Sequence, residues 1–416
     1  MSRATARKIQ TIYIANAARN DELTRETLDA HPQSRKVFLD NDDLPEGTAE
    51  SAPKQILFLT HSRGHIVKAC PGTADCYLCC RYQVINQTLN CPLQCSYCIL
   101  QYYLNQPATV IYTDVEKILR EARRKLAAQP RRFFRVGTGE LGDSLALPGS
   151  VGFARRAVPF FAEIPNALLE LKSKTTNIDS ILPLQHGGRT VLAWSLNPSP
   201  MIRRDESGAA TLENRLAAAA KAQEAGFLLG FHFDPMIIAD PDPVLYVHLA
   251  QTLYDRIDPQ HIAWISIGSL RYPPSMKDKM LQSYPRSTLP FGEMIRGMDD
   301  KMRYARPVRL PFYRALYCVL QKAKNPPFIY FCMESPLVWR EVMGYAPDDN
   351  AHFDYLFAMS LYRRFPGLFT EEPPREVYEN GFALEESPAE AIPPAGSQSA
   401  AGTPHRAESG PPTESR

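Results

Sequence analysis

Cys91, Cys95 and Cys98 stand in the run Cys-Pro-Leu-Gln-Cys-Ser-Tyr-Cys, and seven of the nine cysteines of this chain lie between Cys70 and Cys98. Three thiolates on one tight loop can wrap a face of a cubane iron–sulfur cluster and hold three of its irons, leaving the fourth open to another ligand. A vacancy of that kind makes a centre for chemistry rather than for electron storage alone. The same residues also read as buried small hydrophobes or as half of a zinc site, although zinc more often takes Cys-x2-Cys pairs with a second pair or a His further along. Cys70, Cys76, Cys79 and Cys80 form either a further metal site or a cysteine-rich turn packed near the first. An odd cysteine count in one local burst is not the pattern of a disulfide framework.

Such a loop needs a scaffold. From Arg81 onward short apolar runs alternate with segments of helical period. Strands are predicted at Tyr82–Ile85, just before the cysteine loop, and at 134–137, 167–171, 191–196, 228–233, 262–267 and 328–332. Helices are predicted at 115–128 and 212–225, the second with Glu213, Arg215 and Lys221 outside an Ala/Leu-rich face. Alternation of this kind implies parallel strands joined by crossovers, hence an α/β fold: a full or partial barrel with its chemistry at the C-terminal strand ends, or a doubly wound open sheet.

Residues 1–69 read as an N-terminal extension with a strand at 9–14 and a helix at 21–30, residues 70–370 as the barrel with C-terminal additions, and residues 371–416 as an acidic, Pro-rich, mostly disordered tail. The net charge is +2; the tail carries nine Glu against Arg375, Arg406 and Arg416, a net −6, which leaves +8 on the body. A mildly basic body permits a polyanionic partner without requiring one. No run is long and apolar enough to span a membrane, and Met1–Asn16 lacks a secretory core, so a soluble cytoplasmic protein is expected.

The Cys-x3-Cys-x2-Cys loop resembles the signature of the radical S-adenosyl-L-methionine (SAM) superfamily. The context from Cys70-Pro-Gly to Cys98-Ile-Leu-Gln, together with Arg135-Val-Gly-Thr-Gly-Glu-Leu-Gly-Asp-Ser144 and the strands around Lys174, Ser195 and Asp234-Pro235, resembles the spore photoproduct lyase family over about residues 55 to 370. The resemblance implies a partial (β/α)6-type radical SAM barrel. It also implies a [4Fe-4S] cluster on Cys91, Cys95 and Cys98, with SAM chelating the open iron and cleaved to a 5′-deoxyadenosyl radical. Gly137, Thr138, Gly139 and Glu140 would then face SAM, with Glu140 accepting from its ammonium, and Lys174 and Ser195 match strand ends that contact it. The implied partners are DNA carrying a thymine photolesion and a reducing donor such as flavodoxin or ferredoxin.

The chain departs from the lyase in its hydrogen-return apparatus. The lyase has a cysteine just beyond its second barrel strand and tyrosines flanking its third cluster cysteine; here the stretch is Val136-Gly137-Thr138-Gly139, Tyr97 is present, and the residue after Cys98 is Ile99. No cysteine occurs between Cys98 and Cys318. Cys332, at the end of the last predicted strand, is either a replacement hydrogen donor or a buried core residue. Arg131, Arg132 and Arg135 beside Phe133 and Phe134 are candidate phosphate contacts or simply solvated charges. Three functions therefore stand at this point: lesion repair by a radical SAM lyase, radical SAM chemistry on another substrate, and a non-catalytic iron–sulfur or zinc protein that binds a partner.

Overall fold

A computed structural model of the chain describes residues 8–46, 48, 53–70, 76–104, 108–239 and 242–379. In chain order the first strands are Thr11–Ile14 (β1), Arg35–Phe38 (β2), Ile56–Thr60 (β3), Val67–Ala69 (β4), Gln83–Ile85 (β5), Thr88–Leu89 (β6), Gln94–Cys95 (β7) and Thr109–Tyr112 (β8). They are followed by Phe134–Gly137 (β9), Ala167–Ser173 (β10), Thr190–Ser195 (β11), Glu206–Ser207 (β12), Leu228–Met236 (β13) and Ile262–Ser269 (β14). The last are Arg271–Tyr272 (β15), Met294–Arg296 (β16), Met302–Tyr304 (β17) and Phe328–Phe331 (β18).

The larger sheet runs β18-β14-β13-β11-β10-β9-β5-β4 among the described residues, every pair parallel except β4 with β5. Its spatial order never reverses along the chain, so it has no switch point of the doubly wound kind and winds in one direction, as a barrel does. It is also curled. Trp264 Nε1 on β14 donates to Glu170 Oε1 on β10 at 3.1 Å, although three strand spacings separate the two elements, about 14 Å in a flat sheet. Only a sheet folded round Glu170 brings them together, so the barrel alternative holds and the open sheet does not. A single bridge between Leu78 and Glu334 links the segment before β5 to the segment after β18.

The strands form where the apolar runs predicted them because both faces are covered. Along β14 all eight residues are buried, with Ala263, Ile265 and Ile267 in the large apolar core and Trp264 and Ser266 bonding inward. Helix Leu212–Glu224 packs on β11 and β13 and begins at Thr211, whose hydroxyl accepts from the Asn214 amide at 3.2 Å.

A second sheet, β2-β1-β3-β8-β6, draws strands from both sides of residue 69. Its three N-terminal strands and β8 are parallel and β6 is antiparallel. Two compact units divide the chain, residues 1–382 and 383–416. Of the tail expected to be mostly disordered over 371–416, residues 380–416 lie outside the described residues, whereas its first part carries helix Arg375–Glu379, with Tyr378 fully buried and its hydroxyl accepting from the Phe133 amide at 3.2 Å.

Candidate cluster pocket at the barrel mouth

The cysteine loop leaves the C-terminal end of β5 and is fixed at three points. Asn90, in a left-handed conformation at φ 73°, caps its start by accepting the Cys91 amide at 2.9 Å on its side-chain oxygen. Cys95 pairs in β7 with Glu206 of β12. Ser96 bonds Asp205 twice, amide to carbonyl at 2.8 Å and hydroxyl to carboxylate at 2.7 Å. Cys91 and Cys95 are consequently buried in a small apolar cluster with Leu93, Tyr97, Leu100 and Met201, and Cys98 packs at its partly exposed edge. Burial pushes the Cys91 thiol well above its ordinary range, with Asp143, Cys98 and Cys95 adding to the effect, and pushes Cys95 up to about 12, with Glu206 and Cys98 adding. Lys54, from the other side of the cysteine-rich turn, donates to the Leu93 carbonyl and opposes that rise at both residues.

Beneath the loop a fully buried ion pair carries the load. Glu206 accepts from Arg215, from the Tyr97 hydroxyl and from Asn197 Nδ2 at 3.0 Å. Burial works to raise the Glu206 pKa, but Arg215 and Lys174 outweigh it and hold the carboxylate at about 2. Arg215 spends its remaining donors on the carbonyls of Ser195, at 2.8 Å, and Ala210, at 3.0 Å. It does not lie outside the helix face as its sequence context predicts: its side chain is 0% exposed.

The glycine loop after β9 reaches the same mouth. Asp143 accepts from Ser173 Oγ at 2.7 Å and from the Lys174 amide at 2.9 Å, tying this loop to the end of β10. Gly139 is in tight contact, since a Cβ there would sit 3.1 Å from Lys172 Cβ and 3.2 Å from Ser144 Oγ. Thr138 donates its hydroxyl to Ser144 Oγ at 2.7 Å. At Gly137 the missing side chain is occupied from within the fold: a Cβ would fall 1.5 Å from the Tyr82 hydroxyl. Glu140 is half-buried and lies beside Lys172, whose pKa burial lowers but Glu140, Glu170 and Asp234 raise. Lys174 Nζ sits 5.9 Å over the Tyr97 ring, and Ser195 is buried at the end of β11.

Inside the curl, residues two apart on successive strands build a polar column that sequence reading missed. Glu170 accepts from Tyr82, bonds His232 Nε2 at 2.7 Å, and His232 Nδ1 meets Ser266 Oγ at 2.6 Å. Nearer the mouth, Asp234 pairs with Arg271 at 3.2 Å, and Arg271 Nη2 also donates to Cys332 Sγ at 3.6 Å. The signal was present as Glu170, His232 and Asp234, charged or polar residues set at strand period within otherwise apolar runs. Burial and Asp234 raise the Cys332 thiol well above its ordinary range.

Two of the three arginines near β9 are buried and do not face a phosphate. Arg132 is 1% exposed and paired with Asp354, and Arg135 is buried over the Phe357 ring at 3.5 Å and donates to the Cys80 carbonyl. Arg131 is paired with Glu371 and Glu376. Among the described residues no three His, Cys, Asp or Glu side chains are gathered round the position of a single metal ion, and none of the described helices is long and apolar enough to cross a membrane.

Comparison with known proteins bears on the pocket directly. The family model described as spore photoproduct lyase matches residues 79–309. The chain is 27% identical over 195 residues, 46% of its length and 55% of the relative's, to the spore photoproduct lyase of Bacillus subtilis (strain 168). It is 24% identical over 163 residues, 39% of its length and 46% of the relative's, to that of Clostridium acetobutylicum (strain ATCC 824). The chain thus spans about half the length of the curated relatives it matches. Among solved structures, a spore photoproduct lyase complexed with dinucleoside spore photoproduct superposes with a TM-score of 0.67 at 19% identity, covering 77% of this chain and 97% of that one. A double mutant of the lyase with bound AdoMet and dinucleoside spore photoproduct gives 0.66 at 19% identity, covering 79% and 99%. Both share the curled parallel sheet. With the family model covering more than half of the sequence, the cysteine loop and barrel strands β5 to β14 included, the chain belongs to the spore photoproduct lyase family.

Proposed function

We propose that this chain is a radical SAM lyase that repairs a thymine lesion in DNA. The observation that carries the reading is the gathering of Cys91, Cys95 and Cys98 in one pocket at the mouth of the curled sheet. The donor set fits a [4Fe-4S] cluster: the ligands are all sulfur, Cys98 acts on both of the buried thiols, and buried neutral thiols need the charge of bound iron to ionise. Bound there, the cluster and SAM would supply a 5′-deoxyadenosyl radical that abstracts hydrogen from the substrate.

The chain's own groups take the remaining tasks. Cys91, Cys95 and Cys98 hold the cluster; Gly137, Thr138, Gly139, Glu140, Lys174 and Ser195 form the SAM side of the mouth. Glu140 is the acceptor for the SAM ammonium, and Gly139 lets backbone approach. Gly137 and Thr138 act one step back, through Tyr82 and Ser144. Tyr97, buried against Glu206, keeps its phenol proton and walls the loop. Cys332 is the hydrogen donor: its raised pKa keeps the sulfur protonated, and only S–H can return a hydrogen atom. The lesion must leave the base stack to reach this mouth, which costs less for a damaged base than for an intact one. A flavodoxin or ferredoxin supplies the reducing electron, and the cytoplasm is the compartment where such donors and an oxygen-sensitive cluster persist.

A second reading keeps the radical chemistry and changes the substrate. The thiol-free stretch Val136–Gly139 and Ile99 favour it. The test is anaerobic reconstitution with iron and sulfide, then SAM, reductant and an oligonucleotide carrying the spore-type lesion, with nucleosides read by mass spectrometry. Repaired thymine with 5′-deoxyadenosine is expected; 5′-deoxyadenosine without repair moves the reading to the second substrate class, and neither product overturns both.

A further inference from the structure

We propose that the face made by helix Leu100–Tyr103 and helix Met276–Ser283 is the docking surface for the one-electron donor, an acidic redox protein that delivers its electron on the Cys98 side of the cysteine loop. The inference rests on the radical SAM reading above and adds the surface that the reductant must touch.

Helix Leu100–Tyr103 continues directly from the cysteine loop. The Gln101 amide bonds the Cys98 carbonyl at 3.2 Å, and Gln101 Nε2 donates to the Cys95 carbonyl at 2.8 Å. Leu100 turns inward to the apolar cluster around Cys91 and Cys95, whereas Tyr102 and Tyr103 turn outward, 40% and 48% exposed. About one helical turn of backbone therefore separates a cluster ligand from two solvent-facing rings. That ligand, Cys98, is the one thiol of the three that is not fully buried.

Helix Met276–Ser283 is held against this segment by side chains. Met276 and Met280 enter the same apolar cluster, Lys279 donates to the Gln101 carbonyl, and the Tyr284 hydroxyl donates to Gln101 Oε1 at 2.9 Å. Ser287 Oγ donates at 2.8 Å to the Asp205 oxygen that also accepts the Ser96 hydroxyl, and Arg204 Nε donates to the other oxygen at 2.7 Å. Lys279, Arg204 and Arg286, the neighbour of Ser287, thus stand round the outer side of the loop. The Asp205 side chain is wholly buried, and Asp278 is the one carboxylate of helix Met276–Ser283. Phe291, 72% exposed on the turn Leu289–Phe291 that packs on this helix, extends the apolar part.

Exposed rings within a positive rim suit a transient partner of opposite charge: the charges steer the encounter, and redox encounters bury little area. The location selects the partner. These rings belong to the segment that carries the cluster ligands, which gives an electron a short path inward, whereas a lesion has to meet the strand ends inside the curled sheet. One electron leaves the donor for the bound cluster, oxidising the one and reducing the other, and no bond is made or broken.

The full chain, reconstituted anaerobically, is given SAM and either dithionite or a bacterial flavodoxin kept reduced by its NADPH-dependent reductase, and 5′-deoxyadenosine is measured as flavodoxin is varied. In Tyr102→Ser with Arg286→Glu, both exposed residues, the flavodoxin concentration giving half the maximal rate should rise about tenfold or more. The dithionite-driven rate and the bound iron should stay those of the parent. Carbodiimide cross-linking of the parent to flavodoxin, mapped by mass spectrometry, should join flavodoxin carboxylates to Lys279, with a yield that falls as salt rises. An unchanged half-maximal concentration, an equal loss with both reductants, or cross-links only at other lysines overturns the surface and leaves the radical reading standing. So does weaker binding of the lesion oligonucleotide with the flavodoxin dependence intact, which makes the face a nucleic-acid surface. If the parent yields no 5′-deoxyadenosine even with dithionite, the radical reading fails, and the surface with it.

Discussion

Replacing Arg215 with methionine removes a guanidinium that is 0% exposed and that serves Glu206 and the carbonyls of Ser195 and Ala210. Methionine matches much of the aliphatic volume, so the loss is electrostatic rather than a cavity. Glu206 is left buried without its counter-ion, and two carbonyls lose their donors. Breaking a buried pair from one side costs about 3–5 kcal/mol, and the orphaned carbonyls lie within that figure because the same guanidinium supplied them. The carboxyl would answer by taking up a proton, since the group that holds it at about 2 is chiefly Arg215. A protonated Glu206 no longer anchors Tyr97 as an ion, and the β7–β12 pairing that carries Cys95 loosens. Urea unfolding of the metal-free chain at pH 7 should therefore lose about 3–5 kcal/mol in Arg215→Met, and iron bound after reconstitution should fall with it. Replacing both partners, Arg215→Met with Glu206→Gln, should recover most of the loss, because no buried charge is then left alone. A single-variant loss below about 1 kcal/mol, or a double variant no better than the single one, would refute the reasoning.

Two further outcomes follow from the barrel interior. Gly137→Ala drives its new methyl into the Tyr82 hydroxyl, which a Cβ would meet at 1.5 Å, so Tyr82 must leave Glu170; a loss of about 1–3 kcal/mol is expected by thermal unfolding, and an unchanged melting temperature would count against the packing described. Burial works to raise the Glu170 pKa, but His232 and Lys172 outweigh it and hold the carboxyl at about 2, below its ordinary 4.5. A depressed carboxyl stabilises the fold above its unfolded pKa and loses that contribution as pH falls through the folded one. About 3 kcal/mol should thus disappear between pH 4.5 and pH 2, and Glu170→Gln should flatten that part of the stability–pH curve, a result checked by denaturant midpoints across the range.

The sequence by itself determined the alternation of strands and helices, because apolar runs with strand period can be buried only on both faces of a covered parallel sheet. The barrel strands were legible to within a few residues: 134–137 was expected and Phe134–Gly137 forms, while 228–233 was expected and Leu228–Met236 forms. The sequence also determined the cysteine loop, whose ligand spacing is local and needs no fold to be read. What tertiary structure alone decided is which charged residues face inward. Arg215 in a helix and Arg132 and Arg135 at a strand entrance look like solvated charges in sequence. They are buried because Glu206, Asp354 and the Cys80 carbonyl arrive from elsewhere in the chain to meet them. The same holds for Gly137, a glycine whose space Tyr82 fills from 55 positions upstream. A buried charge and a filled void each depend on a partner distant in sequence, and only the closing of the sheet on itself supplies that partner.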